Sequence, residues 1–355
     1  MSNFDPIMKI LLLPIAWIYH IILSIRHKLY DWHLLKSKRF EMPVIGVGNL
    51  ALGGTGKTPH VEYLIDLLTT SYRVCVVSRG YGRKTKGFQL ANASCNAETV
   101  GDEPMQYVGK FNEVMVAVDE NRNRAIELME TMDRPPEVYL LDDAFQHRAI
   151  QAGLNILLTA YDLLYTEDYL IPAGTLRDVR SAAKRADLIV VSKAPCDLSD
   201  EQRKLAINKL HPIRRQKVFF SSLQYEPLEA VSDAADTLDA EEADTVLLFS
   251  GIARPQPLAD QLRQQYHVEV MAFPDHHFYS KTDVEGILKR YQDMEGRKKI
   301  VVTTEKDYAR IKNSPYFCQF ESVPLYVAPI SIHFHQQEEF NKEIIDYVRE
   351  AHQHG

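Results

Sequence analysis

Val44-Ile-Gly-Val-Gly48-Asn-Leu-Ala51-Leu-Gly53-Gly54-Thr55-Gly56-Lys57-Thr58-Pro59 opens as an apolar strand and breaks into glycines. A Lys-Thr pair follows, then an amphipathic helical pattern over 60–69. Strand, glycine-rich turn, Lys-Thr and helix together are the context a Walker A loop requires. Glycines let the backbone curl so that successive N–H groups point inward at phosphate oxygens, and the helix start adds its positive dipole end. Ala51, Leu52, Gly53, Gly54, Thr55, Gly56, Lys57 and Thr58 are therefore read as nucleotide-binding. Lys57 is expected on the β- and γ-phosphates and the Thr58 hydroxyl on Mg²⁺. Pro59 suits a first helical turn, where a missing N–H costs nothing. Ala51 stands where GxxxxGK[ST] has its first glycine, a mild departure. A purely structural glycine turn is the plainer reading, and the flanking strand and helix argue against it.

Outward from this loop, short apolar runs alternate with amphipathic stretches. Strands are expected at 44–48, 73–78, 114–118, 138–142, 155–159 and 188–192, with a helix over 123–132. Such alternation indicates βα units around a mainly parallel sheet. Val138-Tyr-Leu-Leu-Asp142-Asp143 ends an apolar strand in two acids, where a phosphate loop needs a carboxylate for magnesium. Asp142 is the better metal candidate, with Asp143 beside it; capping of a strand end is the bland alternative. A second alternating set runs at 246–250, 268–273, 299–304 and 325–328, after an acidic, Ala-rich stretch at 226–244 read as a surface helix or loop. The expected fold is α/β, a P-loop NTPase-like parallel-sheet domain with a second, smaller α/β domain and an amino-terminal membrane-associated helix. The expected divisions are 1–30, 31–215 and 216–355.

The 355 residues are 45% hydrophobic and 25% charged, which excludes a disordered or fibrous chain. The formal charge is −7, yet residues 1–40 are net +4. An acidic body argues against nucleic acid as a partner, because phosphate neutralisation needs a basic face. Cys75, Cys95, Cys196 and Cys318 lack any finger-like spacing, and Cys75 reads as a buried strand residue; a reducing compartment fits. Ile10 to Ile25 is a mostly apolar run, short of the roughly 20 residues needed to span a bilayer, and it contains Pro14 and His20. No small-x-small cleavage site follows it. A helix lying in the membrane interface is expected, with Trp17 and Tyr19 at headgroup level and Arg26, Lys28, Lys36, Lys38 and Arg39 facing anionic lipid. A helix packed on the core is the alternative.

Taken as a set, the motifs resemble the tetraacyldisaccharide 4'-kinase family. They are GNLALGGTGKTP, Ser78-Arg79-Gly80-Tyr81-Gly82-Arg83, Gly101-Asp102-Glu103-Pro104, Asp142-Asp143-Ala144-Phe145-Gln146-His147, Pro172-Ala173-Gly174-Thr175-Leu176-Arg177 and Thr303-Thr304-Glu305-Lys306-Asp307. They occur in the family's order, from the apolar leader to about residue 310. Ala144 in place of a glycine and Thr175 in place of a proline are small departures in loops. The resemblance implies ATP- and Mg²⁺-dependent phosphorylation of the 4'-hydroxyl of a tetraacylated glucosamine disaccharide 1-phosphate, giving lipid IVA. It further implies a peripheral or monotopic enzyme on the cytoplasmic face of the inner membrane of a Gram-negative bacterium, with no obligate protein partner. It makes Asp102 the catalytic base, Glu103 a supporting acid near metal or water, and His276 the partner that orients Asp102.

Without the resemblance, Gly101–Pro104 would read as a solvated acidic turn. Asp275-His276-His277 would read as a capping or packed pair, since nothing nearby completes a zinc site. Gln146 and His147 are expected to line the sugar site. Arg79, Arg83, Arg122 and Arg177 are candidates for gripping the substrate's 1-phosphate or the γ-phosphate, because a guanidinium fork matches phosphate oxygens. Arg177 leads among them as a catalytic residue, and Arg79 is assigned to substrate. Ser192-Lys193 is placed near the nucleotide base. Two other readings compete: a P-loop GTPase or ATPase switch of metallochaperone type, and a dethiobiotin-synthetase-like ligase. Neither gives a role to the apolar leader.

Overall fold

The computed structural model describes residues 6–235 and 238–354. A long helix, α1 (Pro6–Asp31), leads into β1 (Val44–Asn49), α2 (Lys57–Thr69), β2 (Val74–Ser78), β3 (Gln89–Ala91), α3 (Ala97–Val100), α4 (Asp102–Lys110) and β4 (Met115–Val118). Next come α5 (Arg122–Glu130), β5 (Val138–Leu141), β6 (Leu154–Ala160), β7 (Leu188–Ser192), α6 (Asp200–Leu210) and β8 (Lys217–Tyr225). These strands and one later strand form a nine-stranded sheet in which β1 lies between β6 and β5. From β8 to β4 every pairing is parallel. The central strands are buried on both faces, so they read as continuous apolar runs without alternation. Because β1 and β5 are neighbours, the phosphate loop and Asp142–Asp143 leave the sheet side by side at its carboxyl edge, where α/β folds bind ligands.

The chain then builds a second sheet from β9 (Glu229–Ala230), β10 (Thr245–Ser250), β11 (His267–Ala272), β12 (Lys299–Thr304) and β13 (Leu325–Ala328), in the order β11-β10-β12-β13-β9. Helices α7 (Gln256–Leu262), α8 (Lys281–Asp293) and α9 (Glu305–Ile311) accompany it. The chain closes with β14 (Ile330–Phe334), which joins the first sheet again, and α10 (Gln337–His354), which packs on it. There β14 pairs antiparallel with β8, and Phe340, Ile344 and Val348 sit in the same core as β1 and α2.

This corrects the division expected at 215/216. β8 extends the first sheet, the second body occupies the segment between Tyr225 and Ile330, and the carboxyl terminus packs back on the first. A sequence pattern marks β8 as a strand without saying which sheet accepts it. Ala235, Ala240 and Ala243 of the acidic stretch are buried in the second core, so that stretch is more than a surface loop. Residues 236–237 of it, and the first five residues of the chain, lie outside the described residues. Pro14 is accommodated inside a continuous α1.

Candidate active site

The phosphate loop is shaped by backbone conformation. Gly53 and Gly54 have φ of 64° and 68°, a region costly for other residues, and the space where a side chain would point is open at both. The start of the loop is held by the segment carrying Arg177: Leu52 N–H donates to the Thr175 carbonyl (2.8 Å) and Arg177 N–H to the Leu50 carbonyl (2.8 Å). Thr175, the departure from proline, uses its hydroxyl to donate to buried Asp168 (2.5 Å). From below, His60 Nδ1 lies 2.7 Å from the Gly56 carbonyl and Nε2 2.9 Å from the Ser221 hydroxyl. Ser192 donates to the Thr55 carbonyl (2.8 Å), which makes it a strut of the loop.

Lys57 Nζ lies 3.3 Å from Asn49 Oδ1 and 3.5 Å from Asp143 Oδ1. Burial pulls its ammonium below the usual range, against the charge of Asp143. Arg177 makes a two-pronged ion pair with Asp143 and donates to Asn49 Oδ1 (2.7 Å). The two adjacent acids are thereby driven apart. Burial alone would raise Asp143, but the charge of Lys57 and the contacts of Arg177 hold it down at about 2. Asp142 is pushed up to about 7 by burial, then by the charges of Glu103 and Asp143. Asp143, expected at the metal, is thus engaged by two cations. Asp142 and Thr58 are buried and Glu103 acts on Asp142 through its charge; their carboxylate and hydroxyl oxygens are the donor type that could hold a hard cation. Among the described residues no three acidic or imidazole groups converge as a ready metal cage.

Asp102 begins α4, and His276 (φ 59°) sits in the loop after β11 of the second body. The structure brings them together: His276 Nδ1 is 3.0 Å from Asp102 Oδ2. Arg310, absent from the sequence reading, donates to the same oxygen through Nε (2.9 Å) and to Asp307 (2.9 Å) and the Gly251 carbonyl (2.9 Å) through Nη1. Asp102 Oδ1 has no hydrogen-bond partner among the described residues. Burial raises the Asp102 pKa, but His276 and Arg310 outweigh it and leave the carboxyl below its ordinary value. His276 is raised by its hydrogen bond to Asp102, against burial. His277 turns away to Asp283 (3.1 Å) and stacks on Phe273, a capping role.

Glu103 meets Lys306 at 3.5 Å. Gln146 donates to the Asn49 carbonyl (2.7 Å). His147 Nδ1 accepts from Arg122 (3.0 Å), and burial, followed by Arg122, Arg26 and Arg79, pushes it down to about 4. Arg122 is buried and donates to the Asp142 and Asp143 carbonyls. Arg79 is exposed beside this cluster and has no ion-pair partner among the described residues. Arg83 instead pairs with Glu120 at 2.5 Å. Arg310 was missed in the sequence, and Asn49 and Lys306 stood in the quoted motifs without an assigned role. The signal available for Asn49 was a polar side chain at the end of an apolar strand. For Arg310 it was the i,i+3 spacing from Asp307 on one helix.

A family profile described as LpxK, tetraacyldisaccharide-1-P 4'-kinase, matches residues 8–349. The chain is 43% identical over 345 residues to the tetraacyldisaccharide 4'-kinase of Flavobacterium johnsoniae, covering 97% of this chain and 98% of the relative. It is 41% identical over 353 residues to that of Bacteroides thetaiotaomicron, covering 96% and 93%. Among solved structures it is similar to the apo form of LpxK from Aquifex aeolicus in complex with ATP, with a TM-score of 0.73, 29% identity, and coverage of 96% of this chain and 99% of that one.

Proposed function

The chain belongs to the tetraacyldisaccharide-1-P 4'-kinase family, and on that premise we propose the roles its own residues take in the transfer. It is a kinase that uses ATP to phosphorylate the 4'-hydroxyl of the glycolipid precursor of lipid A. Phosphoryl transfer passes through a loose transition state, so positioning and charge stabilisation carry most of the catalysis. The loop Ala51–Thr58 cradles the phosphates, and Lys57 exchanges its contact with Asp143 for them. Arg177, fixed over the loop by Asp143 and Asn49, stabilises charge on the transferred group. Thr58 and Asp142, with Glu103 in support, would hold Mg²⁺, which would supply charge neutralisation at the phosphate oxygens.

Asp102 is ionised at neutral pH and offers Oδ1 to the 4'-hydroxyl, while His276 and Arg310 hold Oδ2. Such a carboxylate orients the hydroxyl and takes its proton late, a contribution of about 10²–10⁴-fold. Gln146, His147 and Arg79 line the glycolipid side. The second body supplies His276 and Arg310 and closes over the acceptor. α1, by length and composition long enough to cross a membrane, presents its apolar face to lipid. Because ATP is cytoplasmic, the site faces the cytoplasmic side of the inner membrane. The reading needs no nucleic acid and no obligate protein partner.

Two observations support these roles: Lys57 and Arg177 meet on Asp143 at one sheet edge, and the inter-body Asp102–His276 pair lies next to Glu103, whose charge acts on Asp142. The test is transfer of labelled phosphate from ATP to purified disaccharide 1-phosphate, with the modified position read by NMR. Lys57→Ala is expected to retain under about 1% of kcat with an unchanged fold, as removal of a phosphate contact made in the transition state implies. A variant with wild-type turnover would remove the phosphate loop from the reaction.

A further inference from the structure

We propose that α1 is a positioning element of the active site, with Tyr19 and His27 fixing the segment that carries Arg177. This rests on the reading of Arg177 as a phosphate-stabilising residue. The Arg177 guanidinium lies in the site on Asp143 and Asn49, while its backbone is held from α1: Tyr19 O–H donates to the Arg177 carbonyl at 3.1 Å. The next residue, Asp178, is fully buried, and His27 Nε2 lies 2.5 Å from its Oδ1. Val179 N–H (2.8 Å) and Arg185 (3.3 Å) complete the Asp178 carboxylate.

His27 is held on its other ring nitrogen as well. Its Nδ1 is 3.2 Å from Arg148 Nη1, which has only protons to offer, so Nδ1 is the acceptor and Nε2–H the donor to Asp178. The second active-site loop is gripped in the same way: Arg26 donates to the Gln146 carbonyl (3.0 Å) and Arg148 to the His27 carbonyl (3.0 Å). Leu23 packs in one cluster with Leu50, Phe145 and Leu176, behind the phosphate loop and both of these segments. An anchor needs only the outer face of α1. The inner face instead holds both loops whose side chains meet in the Asp143–Arg177 pair, and small displacements of such groups are costly in rate.

Turnover of the full-length protein in detergent–substrate micelles tests this with Tyr19→Phe, which removes one hydroxyl and keeps the ring. We expect kcat to fall about five- to tenfold, the effect of one hydrogen bond expressed in the transition state, with KM for ATP and Tm unchanged. His27→Gln, which can place an N–H near the Nε2 position, is expected to restore much of the rate lost in His27→Leu. In an Arg177→Ala background Tyr19→Phe should have no further effect, because both act through the same group. Unchanged kcat in Tyr19→Phe beside a deficient Arg177→Ala overturns the proposal alone. So does a loss that tracks Tm and persists in full without Arg177. Wild-type turnover in Arg177→Ala overturns the catalytic reading of that arginine, and the positioning role with it.

Discussion

His60 sits in the first turn of α2 with both ring nitrogens engaged, and burial pushes its imidazole down to about 4. The unfolded chain protonates this group near 6.5. Between about 6.5 and about 4 the unfolded state therefore takes up a proton that the folded state refuses, so this contribution to stability is full above 6.5 and falls as pH drops. The ceiling is about 3 kcal/mol, because each tenfold loss of proton affinity on folding is worth about 1.4 kcal/mol. His147 acts in the same direction, whereas Glu62 and Asp142, both pushed up to about 7, oppose it. The clean observable is thus a difference. His60→Asn, which keeps a donor toward Gly56, should gain on the wild type as pH falls from 6.5 to 4 in urea unfolding. Parallel stability curves would show that His60 does not titrate as its burial implies. At this scale the strand–turn–helix over 44–69 was legible, because glycine, lysine and threonine at fixed spacing write a local backbone shape. Arg310 was not, because its partner Asp102 is 208 residues away.

α1 shows what an element adds to a residue pattern. The apolar run looked too short to span a bilayer, yet the helix is 26 residues long and extends past the run at both ends. Its buried stripe includes Ala16, Leu23 and His27, while Trp17, Ile18 and Ile22 are 66%, 56% and 57% exposed. The polar contacts of this helix therefore point into the protein and much of its apolar surface points out, the reverse of a helix on a soluble core. A chain pattern alone left these two arrangements open, since either face can carry leucines. Replacing Trp17, Ile18 and Ile22 by Ser should weaken co-flotation with vesicles of anionic lipid, because each apolar side chain withdrawn from water contributes about 1.5–3 kcal/mol. Tm should hold, because these side chains have little packing to lose. Flotation equal to wild type would show that this face does not meet lipid. Deleting residues 1–28 is a blunter test, since it also strips His27 from buried Asp178.

At the scale of the whole molecule, the second body is an insertion between β8 and β14, and the parallel core was read correctly while its closing strand was not. β14 and α10 carry ordinary strand and helix patterns, and only tertiary pairing tells that they return to the first sheet. This connectivity ties the bodies together near the site: Lys110 on α4 bridges Glu62 on α2 (2.8 Å) and Glu305 on α9 (2.7 Å). It also makes the Asp102–His276 contact an inter-body one, with buried Arg310 sharing the carboxylate. Truncating Arg310 would remove the buried cation that Asp102 and Asp307 share and cost about 3–5 kcal/mol, so it reports on stability before it reports on rate. His276 is the better probe, because it is partly exposed and its ion-pair partner is Asp102. His276→Ala should lower kcat and kcat/KM together with little change in ATP affinity, as loss of a transition-state interaction does. Asp102→Ala should do the same, and the double variant should cost far less than the product of the two single losses, because the imidazole acts only through the carboxylate it holds. Multiplicative losses in that cycle would mean that the two bodies contribute independent groups and that the pair is a packing contact.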